Sequence, residues 1–183
     1  MDIMVEWVAI LIVVMVYKEV DDMAIEYTAP VLQTVAENSP VIFTDSSSPF
    51  NYNRWVYHRD GSGIFRLGSG GFTNPFIRYP YPCCCNIMPE SQYLVEFHAN
   101  VSIPEDGTID TVQFAVVVDG EIEPSSIMIT NPTAVDEFDN IGTGIVVAVP
   151  LVFGWSNVSI RNISTQEINV QNASLVIDSA NKR

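Results

Sequence analysis

The stretch SQYLVEFHANVSIPEDGTIDTVQFAVVVDGE, residues 91–121, decides the fold. Its first half alternates apolar and polar side chains with a period of two, which predicts a half-buried strand. The sequence Pro104-Glu105-Asp106-Gly107 then has turn chemistry, because proline fixes φ and glycine accepts the positive φ that closes a turn. A second alternating run at residues 112–118 predicts a returning strand, and the two runs together predict a hairpin.

The second strand of this stretch is apolar on both faces. Val112, Phe114 and Val116 share one face, whereas Ala115 and Val117 lie on the other. A strand of this kind needs cover on two sides. Either a second packed sheet or a neighbouring copy of the chain can provide it.

Composition limits the classes of partner. The chain has 183 residues, of which 48% are hydrophobic, and its 22 acidic and 8 basic residues give a formal net charge of -14. This length can enclose a core as one domain with an appendage. Residues 79–160 contain neither lysine nor arginine. Because surfaces that bind nucleic acid, anionic membranes or polyanionic glycans need clustered cations, we expect none of the three as a partner.

The sequence offers no pattern typical of a catalytic or metal site. Its three cysteines are adjacent, at positions 83–85, where they cannot form unstrained disulfides with one another and lack the spaced pairs of a zinc site. We therefore expect assembly in a reducing cytosol. Neither a serine-histidine-acid set nor a glycine-rich phosphate loop occurs. The sequence predicts no enzyme activity and no cofactor.

Residues 3–17, IMVEWVAILIVVMVY, are apolar except for Glu6. The run is shorter than the about 20 residues of a membrane-spanning helix, and Asp2 stands where a signal peptide would be basic. Three interpretations stay open: a peg that docks into another protein, an element buried against the chain's own domain, or a natural start at Met23. We favour the peg. Its anchoring side chains are expected to be Trp7, Ile10, Val13 and Val14.

Two loop regions flank the central stretch on its N-terminal side. Asp60-Gly61-Ser62-Gly63, between the strand candidates at residues 54–59 and 64–67, predicts a hairpin. Residues 68–89 are rich in glycine, proline and aromatic side chains without a clean period, which indicates a long loop. We prefer packing of these aromatic rings under the loop. The alternative is contact with a glycan through Phe76, Tyr79 and Tyr81.

The run at residues 145–153 is also apolar on both faces. Ile145, Val147 and Val149 alternate with Val146 and Ala148, so the strand is expected to be central in a sandwich or to lie at a subunit interface. The acidic turn at residues 136–140 precedes it and lacks the spaced ligands of a calcium loop. The paired carboxylates Asp136 and Asp139 in that turn give weak support to one candidate function, that of a depolymerase-like enzyme.

The C-terminal part predicts two further strands, at residues 157–163 and 167–177, joined by Ser164-Thr165-Gln166. Four asparagines stand in Asn-x-Ser sequons. In the absence of a secretory signal they are expected to be unglycosylated and to lie on polar strand faces. These asparagines are Asn100, Asn157, Asn162 and Asn172.

A family resemblance rests on an ordered set of segments. They are MAIEYT at 23–28, VIFTD at 41–45, YHRDGSGIFRL at 57–67, YLVEFHANVSIP at 93–104, VVVDGE at 116–121 and VSIRNISTQEINVQNASLVI at 158–177. This order resembles small bacteriophage and prophage proteins. Their domain is similar to the tumour necrosis factor-like, complement-type jelly roll of collagen-like spore-coat glycoproteins. The resemblance covers residues 23–182 and is most specific at 162–172.

The resemblance implies an all-β, two-sheet jelly-roll sandwich at residues 23–183, preceded by the hydrophobic anchor segment 1–22. Such domains form trimers, which implies a virion structural protein: a trimeric head fibre or capsid decoration on the virion surface. The anchor would bind capsid or portal-vertex components, and the absence of a Gly-X-Y stalk would place the trimer close to the particle. The alternative function is an adhesin for host surface carbohydrate. The expected trimer interface consists of Phe97, Phe114, Val147, Val149 and Leu151.

Overall fold

The computed structural model describes residues 24–47, 56–59, 61–69, 90–150 and 154–179. These ranges form two antiparallel sheets of six strands each, here called sheet A and sheet B, and one short 3-10 turn. The predicted all-β, two-sheet architecture is confirmed. In chain order the elements are β1 (Ile25–Ala29), β2 (Gln33–Val35), β3 (Asp45–Ser46), β4 (Val56–His58), β5 (Phe65–Gly68), β6 (Glu90–Ser102), β7 (Val112–Val118), β8 (Glu121–Ile122), the 3-10 turn (Pro124–Ser126), β9 (Met128–Thr130), β10 (Asp139–Pro150), β11 (Trp155–Asn162) and β12 (Ile168–Ser179).

Long strands make up the centre of sheet A. Its order is β10-β6-β12-β1-β3, and β2 pairs with the beginning of β12. The register of β10 with β6 runs from Asp139 opposite Val101 to Pro150 opposite Glu90. Sheet B has the order β4-β5-β11-β7-β8, with β9 also paired to β7. The sandwich therefore consists of one sheet with long strands and one with shorter strands.

Aromatic side chains from both sheets meet in the core. Tyr27 and Phe97 come from sheet A, whereas Phe65 and His58 come from sheet B. The ring of Phe43 lies between them, with its centroid 5.5 Å from that of Phe65 and 6.4 Å from that of Phe97. His58 stacks on Phe65 at 4.4 Å between ring centroids. Rings that pack edge to face or stacked in this way join the two sheets.

The predicted hairpin within residues 91–121 is wrong. β6 lies in sheet A and β7 in sheet B, so the connection at residues 103–111 crosses from one sheet to the other. Both edges of β6 are occupied by the long strands β10 and β12, and the apolar faces of β6 and β7 meet across the core instead of side by side. The turn itself is present, because the Gly107 N–H donates to the Pro104 carbonyl at 2.8 Å.

The shorter hairpin prediction is confirmed. β4 pairs with β5, with Val56 opposite Leu67 and His58 opposite Phe65. Gly61 and Gly63 in the connection have φ of 74° and 61°, the left-handed region that glycine adopts without a steric cost.

β10 is the strand that was predicted to be apolar on both faces, and it lies at an edge of sheet A, not at its centre. Ile145, Val147 and Val149 are buried in the core, whereas Val146 is 59% exposed and Ala148 is also exposed. Within the sheet that the described residues form, β10 is therefore not a central strand. The second alternative from the sequence, a subunit interface, would explain why this strand has apolar side chains on its outward face.

Tyr93 links the two sheets by a hydrogen bond. Its hydroxyl on β6 donates to the Gly68 carbonyl on β5 at 2.6 Å, and the side chain is buried. Burial raises the pKa of Tyr93 to about 12, and burial likewise raises the pKa of Tyr27 to about 12. In each case the low-dielectric interior disfavours the phenolate.

These two pKa values predict alkaline sensitivity. Because the folded pKa lies above the ordinary value of 10.0, each tyrosine stabilises the fold fully below pH 10 and loses that contribution as the pH rises towards about 12. The loss corresponds to about 2–3 kcal/mol for each residue. We expect Tyr93→Phe to halve the fall in the free energy of unfolding across this window, measured by urea denaturation. An unchanged fall in the variant would contradict the assignment.

Candidate functional site

The outer face of sheet A, here called the A face, consists of the side chains that point away from the core. Its residues follow from the register of the four strands. They are Glu26, Thr28, Gln92, Leu94, Glu96, His98, Asn100, Asn140, Gly142, Gly144, Val146, Ala148, Gln171, Ser174, Val176 and Asp178.

One end of the A face is apolar. Val146 lies opposite Leu94 in register, Ala148 follows on the same strand, and Val176 is on the neighbouring β12. Val146 is 59% exposed and Ala148 is also exposed, whereas Leu94 and Val176 are half-buried. The other end carries amides, with Asn140, Asn100 and Gln171 forming one row across three strands. Only the first end offers apolar area for burial against a partner.

The middle of the A face has low relief. Gly142 lies opposite His98, and a Cβ at Gly142 would collide with the imidazole, which lies across the glycine backbone. At Gly144 a Cβ would be 3.5 Å from Cγ of Glu96, in ordinary contact. The two glycines therefore let side chains of β6 cover the edge strand. A flat surface of this kind can pack closely against another flat surface.

Acidic groups flank the apolar end. Glu26, Glu96 and Asp178 lie on the A face, and Ser174 Oγ donates to Glu26 Oε1 at 2.8 Å. Among the described residues, arginines occur only in or directly after strands of sheet B. The two outer faces of the sandwich consequently differ in charge.

The structure places four of the five predicted interface residues inside the single chain. Phe97 and Phe114 are 0% exposed, and Val147 and Val149 are buried in the same core. Such side chains have no free area for a second copy, so an interface on these strands would use their outward neighbours. The sequence had separated the two faces of β10 correctly. Period two does not show which face is covered by the chain's own second sheet.

The remaining predicted site residues lie outside the described ranges. These are the anchor residues Trp7, Ile10, Val13 and Val14, the interface residue Leu151, the glycan candidates Phe76, Tyr79 and Tyr81, and the adjacent cysteines at 83–85. The predicted division of the chain between residues 22 and 23 lies there too. All of these stay predictions.

Two of the three carboxylates in the acidic turn at residues 136–140 accept hydrogen bonds. Thr130 Oγ1 donates to Asp139 Oδ2, and Thr133 Oγ1 donates to Glu137 Oε2 at 2.7 Å. Within the described ranges, no group of three or more histidine, cysteine or acidic side chains is arranged to hold a metal ion. The same ranges contain no helix that is long and apolar enough to cross a membrane.

Comparisons with known proteins bear on the fold. No family model and no curated protein matches the sequence. Among solved structures, the Eiger TNF of S. frugiperda superposes with a TM-score of 0.57 at 9% identity, covering 87% of this chain and 92% of that chain. Murine APRIL at pH 5.0 superposes with a TM-score of 0.53 at 10% identity, covering 85% and 98%.

The fold is a tumour necrosis factor-like jelly roll. This confirms the fold class that the sequence resemblance implied. At identities of 9–10% the likeness concerns the fold alone.

Proposed function

We propose that this protein is a non-catalytic structural protein whose copies associate through the apolar end of the A face. The observation that supports this most is the exposure of Val146 beside Leu94 on an edge strand. An uncovered sheet edge with apolar side chains is a surface that proteins normally protect by pairing or burial. A second copy of the chain would bury it.

Threefold association is proposed from the family resemblance, since domains of the resembled kind form trimers. The same resemblance supports a role on a phage particle, as a head fibre or capsid decoration. The first described strand, β1, begins at the apolar end of the A face, because Ile25 lies opposite Ile177 and Glu26 opposite Val176. The partners proposed for the hydrophobic segment 1–22 are capsid or portal-vertex components.

Charge sets a condition on this interface. Glu96 and Asp178 neighbour the apolar end on β6 and β12, and like charges brought together across an interface weaken it. The carboxylates must therefore lie at the rim, where water screens them, with Val146 and Leu94 near the centre.

A single substitution tests the face. Val146→Glu places a carboxylate in each copy of the proposed interface, and burying an unpaired charge costs several kcal/mol. We expect the dissociation constant of the assembly to rise about 100-fold, measured by sedimentation velocity over a concentration series. Ile129→Glu is a matched control, because Ile129 on β9 in sheet B is also 59% exposed. Equal effects of the two variants would rule out the A face as the interface.

A further inference from the structure

Three large side chains form a second exposed cluster, on the outer face of sheet B. Tyr57 on β4 lies directly opposite Arg66 on β5, and Trp155 on β11 lies two positions further along, opposite Gly68. The inward neighbours of these residues are buried in the core, so the three side chains point to the outside. Tyr57 is 51% exposed and Trp155 is 44% exposed.

The indole of Trp155 is held in place from two directions. A Cβ at Gly68 would be 3.0–3.3 Å from three atoms of the six-membered ring, so the ring packs directly against the glycine backbone. The guanidinium carbon of Arg66 lies 5.0 Å from the ring centroid, which is a cation–π contact. Tryptophan and arginine are therefore pre-arranged as one aromatic and cationic surface, and binding would require little further ordering.

Charge distinguishes this surface from the rest of a strongly acidic chain. Of the arginines that the structure describes, Arg59 directly follows β4, Arg66 lies on β5 and Arg161 lies on β11. No carboxylate in the described ranges forms an ion pair with Arg66. Asn157, which lies opposite Arg66, donates its backbone N–H to the Asp119 carboxylate at 2.7 Å. The guanidinium of Arg66 thus keeps donors available for an anion.

We propose that Tyr57, Arg66 and Trp155 form a binding site for an acidic sugar, a pyranose that carries a carboxylate. The C–H groups of a pyranose carry small positive partial charges and pack against the negative face of an aromatic ring. The fork of an arginine guanidinium matches a carboxylate with two parallel hydrogen bonds. The site spans three strands, roughly 10 Å at the usual strand spacing, which is about the length of a disaccharide.

Other anions fit this surface less well. A nucleic acid would bring many phosphates towards a chain of net charge -14, and the two exposed arginines in the described ranges, Arg59 and Arg66, cannot offset that repulsion. Arg161 is half-buried and lies four residues from Asn157 along β11, about 13 Å away. Its Nε donates to Ser159 Oγ at 3.2 Å. Arg161 is therefore outside the proposed contact and provides a matched control.

This site is independent of the A face, because it lies on the opposite outer surface of the sandwich. Association through sheet A would leave it exposed on every copy. Several weak sites on one assembly would then bind a mostly neutral glycan chain that carries isolated acidic sugars far more tightly than one site does.

The test is an array of oligosaccharides that carry hexuronic or sialic acids, printed beside their neutral counterparts of the same linkage. We expect the full chain to bind acidic members and not the neutral ones. For the strongest acidic hit, titration calorimetry should show at least tenfold weaker binding for Arg66→Gln and for Trp155→Ala. Arg66→Lys should lie between the wild type and Arg66→Gln, since lysine keeps the charge and loses the planar fork. Arg161→Gln should stay within about twofold of the wild type.

Three results would overturn the proposal. One is the absence of binding to every acidic sugar on the array, and another is equal binding of acidic and neutral members. The third is acidic-sugar binding that persists in both Arg66→Gln and Trp155→Ala. The sugar would then bind elsewhere, and the role of Trp155 would be limited to packing against Gly68. Circular dichroism of each variant verifies that it is folded, and Tyr57→Ser gives a further site variant on an exposed position.

Discussion

Phe97→Ala is expected to lower the free energy of unfolding by about 3–5 kcal/mol. Phe97 is 0% exposed at the centre of β6, and its ring contacts Phe43 edge to face across the core. Removing it leaves a cavity between two sheets whose backbones are fixed by long ladders, so the surroundings can relax only in part. Chemical denaturation of the variant provides the measurement.

The control for Phe97 is Phe138→Ala. Phe138 is 43% exposed before β10, and we expect its replacement to change stability by less than about 1 kcal/mol. Both should be measured in the Val146→Glu background, so that association does not contribute. If Phe97→Ala instead weakened only the assembly and left the unfolding of the single chain unchanged, Phe97 would be an interface residue as the sequence predicted.

Asn162→Ala is expected to cost about 3–4 kcal/mol, an unusually large loss for an asparagine. The side chain is 0% exposed and makes three hydrogen bonds. Its Nδ2 donates to the Val35 carbonyl at 2.9 Å and to the Gln166 carbonyl at 2.8 Å, and its Oδ1 accepts from the Ser164 N–H at 2.9 Å. Alanine would leave three backbone groups without partners at the junction of β2, β11 and the connection to β12.

Asn157→Ala is the matched control for Asn162, since both asparagines stand in Asn-x-Ser sequons. Asn157 is exposed, and its side chain makes only a 3.4 Å contact with Asp119. We expect a change of less than about 1 kcal/mol in the thermal or urea transition. Equal losses for the two variants would show that burial of Asn162 contributes nothing specific.

Local features of the fold could be predicted from the sequence. The alternation at Tyr93, Val95 and Phe97 identified β6, and the Gly61 and Gly63 turn identified the β4–β5 hairpin. Both depend on contacts within a few residues or on the period-two geometry of a strand. Such information is present in a short window of sequence.

Pairing between distant strands could not be predicted in the same way. β6 pairs with β10 and β12, whereas the turn chemistry of residues 104–107 had predicted that β6 pairs with β7. The hydrophobic pattern is equally satisfied when two apolar faces lie side by side in one sheet or face each other across a core. Asn162 illustrates the same difficulty, because a polar residue in an alternating strand was expected on the solvent face and is buried by its hydrogen bonds.

The candidate site was predictable only in part. The two-faced pattern of residues 145–153 pointed to β10, the strand of the proposed interface, but Val147 and Val149 are buried in the core and only the outward Val146 is exposed. The cluster of Tyr57, Arg66 and Trp155 combines residues up to 98 positions apart in the chain, which no local motif brings together. A register across three strands was needed to find it.

The mass of the protein in solution tests the proposed assembly most directly. Light scattering after size-exclusion chromatography at micromolar concentration should give three times the chain mass of 20.3 kDa, and the Val146→Glu variant should give a single chain mass. A wild-type protein that remains at 20.3 kDa across the concentration range, folded and soluble, would contradict association through the A face.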